Sequence, residues 1–145
     1  MRLTDHFTVE ELTFSQLGAR LGLDNTPPPE LIPTLLQTAQ RMEDVRALLG
    51  RSITVLSGYR SAEVNKAVGG AKNSAHLTGH AVDFTCPGYG SPQAVFDTIR
   101  ESSIRFDQII MEFGQWVHIS FAPAMRRSCL TAKKVGKETV YETTK

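Results

Sequence analysis

Ser74-Ala75-His76-Leu77-Thr78-Gly79-His80-Ala81-Val82-Asp83-Phe84 places three side chains able to bind a metal, His76, His80 and Asp83, within one short run. His76 and His80 stand four apart, a spacing that shares a face only on a helix. Thr78-Gly79 and the Ala-Val-Asp-Phe after them disfavour a helix and predict a loop entering a strand at about 81–84. On a strand, alternate side chains share a face. Val82 and Phe84 take the core side, and His80 goes with them. Gly79, Ala81 and Asp83 then line the opposite face, where small neighbours leave room for an ion and for His76 curling in from the loop. Parity alone selects His76 and Asp83 and leaves His80 near the rim.

A third ligand has to come from elsewhere, because hydrolytic zinc sites take three protein ligands and keep a position for water. The chain has four histidines, and besides His6 the one outside the quoted run is His118. Trp116-Val117-His118-Ile119-Ser120 reads as a strand whose apolar Val117 and Ile119 face one way and His118 the other. A lone strand histidine is more often structural. The vacant third position beside His76 and Asp83 makes His118 the candidate.

Outward from these motifs, the expected fold class is α+β: one domain over 1–145, helices packed on a small antiparallel sheet that carries the site, with a core motif region at 52–121. Thr8-Val9-Glu10-Glu11 has the spacing of a capping box. After the stiff Pro27-Pro28-Pro29, a helix is predicted over 30–49, with Leu31, Leu35, Leu36, Met42, Val45 and Leu49 on one face and Gly50 as its stop. Ser52–Leu56 reads as a strand, Ala62–Val68 as a brief helix, and Ser91-Pro92 as the start of a helix to about Ser102. Asp107–Phe113 and Trp116–Phe121 read as a hairpin across Gly114-Gln115, and Glu138–Glu142 as a late strand.

The composition, 41% hydrophobic and 21% charged in 145 residues, is that of a soluble globular domain with enough chain for a core. No run approaches the ~20 apolar residues of a membrane span. A net charge of +1 provides no general field for nucleic acid. The segment 123–145 is locally basic, with six Lys/Arg against two Glu from Arg126 onward, and is expected to be a solvated end. Cys86 and Cys129 lack CxxC spacing and are expected to be free.

SxHxxGxAxD, standing here as Ser74, His76, Gly79, Ala81 and Asp83, followed by WVHISF, resembles the M15 zinc peptidases. That group includes D-Ala-D-Ala carboxypeptidases and phage endolysin peptidases. Ser57-Gly58-Tyr59-Arg60-Ser61 and Asn65 are similar to the group's SGYRSxxxN stretch, so the resemblance covers roughly 55–121. It implies Zn²⁺ held by His76, Asp83 and His118, the set that parity favours, with His80 at a position the motif leaves free. It also implies that Arg60 holds a substrate carbonyl or carboxylate, a task suited to a planar fork of donors. Ser74 is a weaker candidate for substrate binding, and Tyr59 and Trp116 are candidate cleft walls.

The chain departs from the better-known members at one point. Where they carry an acidic residue three before the last zinc histidine, Gln115 stands here and cannot take a proton. Glu112 is the substitute general base. An odd hairpin loop would pair it with His118 and aim it at the metal; a two-residue turn would pair it with Val117 and turn it away. The expected function is a zinc-dependent peptidase cutting peptide bonds of bacterial peptidoglycan stem peptides, as a phage or prophage endolysin-type endopeptidase. A D-Ala-D-Ala carboxypeptidase and an inactive zinc-stabilised wall-binding domain are the alternatives. The N-terminus has acids where a signal peptide needs an apolar stretch. The expectation is therefore cytoplasmic synthesis followed by holin-type release, or carriage in a virion. The chain is expected to act as a monomer.

Overall fold

Residues 1–144 are described by a computed structural model. Five α-helices, α1 (Val9–Thr13), α2 (Gln16–Arg20), α3 (Ile32–Leu49), α4 (Ala62–Ala67) and α5 (Pro92–Arg100), accompany a sheet of six strands. The strands are β1 (Thr54–Ser57), β2 (Ala81–Thr85), β3 (Gln108–Glu112), β4 (Trp116–Ser120), β5 (Ser128–Val135) and β6 (Glu138–Thr143), in spatial order β1-β2-β4-β3-β5-β6. All neighbours are antiparallel except β3 and β5, which run parallel. No helix among the described residues is long and apolar enough to cross a membrane.

The two faces of the sheet have different tasks. Val82, Ile119 and Ile109 stand in one row and Phe84, Val117 and Met111 in the next. These rows are buried against Leu35, Ala39, Met42, Val45 and Leu49 of α3 and Val95, Phe96 and Ile99 of α5 in one apolar cluster. The intervening row, Asp83, His118 and Ile110, points the other way because side chains alternate along each strand. The core face makes the protein fold. The opposite face carries chemistry.

Local sequence accounts for most boundaries. Thr8 and Glu11 form the expected capping box on α1, and Ser61 and Ser91 cap α4 and α5. A 3-10 turn at Pro29–Leu31 precedes α3, so the helix starts at Ile32 rather than at 30. Leu36, expected on the buried face, is 37% exposed, and Ala39 and Thr38 fill that face instead. Thr38 donates to the Gly79 carbonyl at 2.7 Å, pinning the histidine loop to α3.

The largest correction concerns the C-terminal segment. Residues 128–143 are not a solvated end: β5 pairs along β3, and β6 folds back on β5 as a hairpin, while Lys145 lies outside the described residues. Lys133-Lys134-Val135 breaks the apolar alternation by which a strand is recognised, so only β6 was legible. Ala132 is buried and Leu130 half-buried within that pairing.

Candidate metal centre and cleft

Strand β1 delivers the first part of the site through a bulge. Val55 pairs with Phe84 and Ser57 with Asp83, so Leu56 is the extra residue. Bulges of this kind bend a strand and re-aim the residues just beyond it. Here those residues are Gly58-Tyr59-Arg60, held from behind by the Tyr59 amide donating to the Leu12 carbonyl at 2.6 Å. Asn25 braces the same turn, donating to the Thr13 and Tyr59 carbonyls and accepting from the Ser61 amide. A Cβ at Gly58 would overlap the Leu12 carbonyl oxygen. Only glycine lets α1 approach this closely.

His76, Asp83 and His118 are all buried, and one ligand atom from each lies within 4.8 Å of the others. His76 comes from the loop, Asp83 from β2 and His118 from β4, with Asp83 and His118 directly paired across the ladder. Asp83 Oδ1 is 2.8 Å from His118 Nδ1 and 3.2 Å from His76 Nε2. His76 Nδ1 is 2.7 Å from the Gly58 carbonyl oxygen. A carbonyl can only accept, so Nδ1 carries the proton. Burial lowers the pKa of His76 against the pull of Asp83, which leaves the ring neutral and Nε2 a bare lone pair. That lone pair faces a carboxylate oxygen, an arrangement that calls for a cation between them. Two imidazole nitrogens and a carboxylate are a donor set that suits Zn²⁺. The residues fit the ion.

Electrostatics around the centre separate its members. Burial would raise the pKa of Asp83, but the positive charge that His76 and His118 carry when protonated, and the hydrogen bonds they then donate, hold it well below the usual carboxylate range. Burial opposes the charged form of His118, yet the hydrogen bond and charge of Asp83 and the charge of Glu112 raise its pKa. For Glu112, burial pushes the carboxyl up to about 7, the charge of Asp83 adding to the effect and His118 and Arg60 opposing it. Glu112 Oε1 is 3.9 Å from His118 Nδ1.

The metal-free centre therefore keeps a proton on His118 that a metal must displace. Below the raised His118 pKa, apparent zinc affinity should weaken by about tenfold per pH unit for that proton, and more steeply below about 7, where Glu112 also holds a proton that a nearby cation expels. Competition titrations with a chromophoric chelator between pH 5 and 8 measure this. The groups facing His118 that set its titration are Asp83, Glu112, Arg60 and His76.

Glu112 reaches the site by the odd loop, with a different register from the one expected. Phe113-Gly114-Gln115 forms a three-residue turn that pairs Glu112 with Trp116, and Ile110 lies opposite His118. The tighter loop shifts the pairing by two residues. A shift of two preserves the face, so Glu112 and His118 still point the same way. Gln115 is exposed at the hairpin tip and does not line the cleft.

Arg60 lies half-buried beside the ligands. Its Nη2 donates to Asp83 Oδ2 at 3.3 Å, Nη1 to Asn65 Oδ1 at 3.1 Å and Nε to Ser57 Oγ at 3.2 Å. The guanidinium thus fixes the carboxylate that parity assigned to the metal. Asn65, buried on α4, is in turn held by donating to the Ala71 carbonyl at 3.0 Å. A Cβ at Gly70 would overlap Asn65 Oδ1 and lie 2.9 Å from Arg60 Nη1. Gly70→Ala should lower kcat/KM by about 10- to 100-fold through misplacement of Arg60, with zinc content retained. Parallel kinetics and metal analysis check both halves.

Ser74 lines the cleft, where its Oγ accepts from the His76 amide at 3.2 Å. Trp116 also lines it, packed edge-on to Phe113 with ring centroids 5.8 Å apart. Tyr59 does not: it is 6% exposed and belongs to the core, because its amide and carbonyl tie it to Leu12 and Asn25 behind the site. His80 lies outside the centre, 2.6 Å from Thr78 Oγ1. Missed from sequence were Gly70 and the far wall of the cleft, where Leu130, Lys134, Thr139 and Tyr141 project from β5 and β6. The cleft has a volume of about 830 Å³.

A stretch of 49 residues is 45% identical to the zinc D-Ala-D-Ala carboxypeptidase of Streptomyces albus G, covering 33% of this chain and 19% of that protein. The chain thus matches about a fifth of the relative's length. A broader match, to the family described as Peptidase M15, runs over residues 5–120 and takes in α1, the Arg60 turn, the histidine loop and the hairpin that ends in His118. Over most of its length, centre included, this chain belongs to the peptidase M15 family.

Proposed function

We propose that the chain is a zinc-dependent peptidase that cuts an internal peptide bond in bacterial peptidoglycan stem peptides, as a lytic enzyme of the endolysin type. The observation that carries this reading is the convergence of His76, Asp83 and His118 with Glu112 on the same face, 3.9 Å from His118. His76, Asp83 and His118 would hold the ion, which when bound supplies a Lewis acid that acidifies water and polarises a carbonyl.

The chain's own groups do the rest. Glu112 accepts a proton from the attacking water and returns it to the departing amine, both halves being open to a carboxyl that titrates near neutrality. Its pKa of about 7 in the metal-free chain falls when a cation sits nearby, which favours the base form. Arg60 spends three of its N–H groups on Ser57, Asn65 and Asp83. A guanidinium has five, so two remain for a substrate carbonyl oxygen that gains charge as the bond breaks.

The preference for an internal bond rests on the shape of the cleft. Loop residues 68–71 and 73–75 line one part and the β5–β6 hairpin another, with the centre among them. A peptide can extend in more than one direction from the scissile bond. The match to a D-Ala-D-Ala carboxypeptidase favours the second reading, cleavage of a terminal bond. Digestion of defined wall fragments, with the new amino termini identified by mass spectrometry, decides between them. New termini within the stem support the endopeptidase; release of free D-alanine alone overturns it in favour of the carboxypeptidase. No cleavage by zinc-loaded protein would leave the wall-binding alternative.

A further inference from the structure

The hairpin β5–β6 lies beyond the residues that match the family, yet it walls the cleft. Across the sheet, Trp116, Glu112, Ala132 and Tyr141 stand in one row and share a face. Lys134 and Thr139 pair two residues further along the hairpin, on that same face. Lys134 Nζ donates to Thr139 Oγ1 at 3.0 Å and lies 5.4 Å from the Phe113 ring centroid. An ammonium has three donors, so two are left. Among the described residues no carboxylate lies within 4.0 Å of Lys134. Its neighbour Lys133 faces the other side and is 3.2 Å from Glu142.

One lysine is neutralised on the outer face; the other is steered over the cleft by a hydroxyl and a ring. Tyr141 stands beside it, 55% exposed at the lip. We propose that Lys134 and Tyr141 form a subsite for a carboxylate-bearing residue of the peptide substrate. The distance from β3 to β6 is two strand spacings, about 10 Å, which an extended peptide covers in about three residues. The carboxylate therefore belongs within about three residues of the bond that is cut. The ring of Tyr141 packs on that residue's aliphatic part while Lys134 meets its charge. The subsite rests on the peptidase reading and names the substrate feature selected by a wall that the family match does not include.

The test uses the full chain loaded with zinc and pairs of synthetic stem peptides. Members of a pair differ only in a free carboxylate or a carboxamide, placed one to four residues from the cleaved bond. The wild type should prefer the acid at one placement by roughly five-fold in kcat/KM, the range of a well-held exposed ion pair. Lys134→Ala should remove the preference and Lys134→Glu should invert it. Lys133→Ala, of equal charge loss on the outer face, should keep the wild-type ratio. Equal ratios in wild type and both Lys134 variants would overturn the subsite. So would an identical loss with Lys133→Ala, which would indicate a general charge effect. If zinc-loaded wild type cleaves neither member of any pair, the peptidase reading itself fails.

Discussion

Glu112→Gln is expected to hydrolyse wall peptides about 1,000-fold more slowly than the wild type while still holding one equivalent of zinc. The amide keeps the size and position of the side chain but has no site for the proton of the attacking water. Glu112 is not one of the three converging ligands, so metal content should persist. Its half-buried place on β3, beside His118 and in reach of the charge of Arg60, gives it a titration that no exposed carboxylate would have. Gln115→Ala is the companion variant. Gln115 sits at the exposed tip of the hairpin, and its loss should change kcat/KM by less than about twofold, as expected for a surface position away from the site. Equal damage from both variants would remove Glu112 from the role of base.

Asp83→Ala should abolish both zinc binding and activity, and it should also weaken the fold. Asp83 accepts from His118 and Arg60 and faces His76 Nε2 at 3.2 Å. Removing it leaves the Arg60 guanidinium, 14% exposed at its side chain, without its anion. Breaking a buried pair by taking one partner costs about 3 kcal/mol. For a domain of this size that lowers Tm by roughly 10 °C. Thermal melts of the metal-free proteins isolate this cost from the stabilisation that zinc itself adds to the wild type. A metal-free Asp83→Ala that melts with the wild type would show that the Arg60–Asp83 pair contributes nothing to the fold.

The centre was legible because it depends on alternation. Val82 and Phe84 must enter the core, and Val117 and Ile119 must do the same, so Asp83 and His118 emerge together on the other face. Two local patterns set two strands, and their pairing placed the ligands side by side. The helix caps at Thr8 and Ser91 were legible for a similar reason: a hydroxyl and the amide it satisfies lie three residues apart.

The features hidden from sequence depend on contacts between distant segments. The register of the Glu112 hairpin turns on whether three residues or five form the loop, and Phe113 adopts a positive φ of 56° that its residue type does not announce. Tyr59 stands after Gly58 in a stretch that resembles a substrate-binding motif, yet its amide is taken by Leu12, far earlier in the chain, and the ring goes into the core. The β5–β6 wall is hidden by lysines. A strand that shows charge on both faces over Lys133-Lys134 reads as a solvated end until its parallel pairing with β3 is known.

X-ray absorption at the zinc edge, on protein reconstituted with one equivalent of metal, tests the three-ligand centre most directly. The expected spectrum has a nitrogen and oxygen shell at about 2.0–2.1 Å with scattering from two imidazoles and no sulfur. In His118→Ala that scattering should drop to one imidazole or the metal should be lost. A sulfur shell at about 2.3 Å, which would place the ion at Cys86 or Cys129, or failure of the wild type to retain zinc, would contradict the centre built from His76, Asp83 and His118.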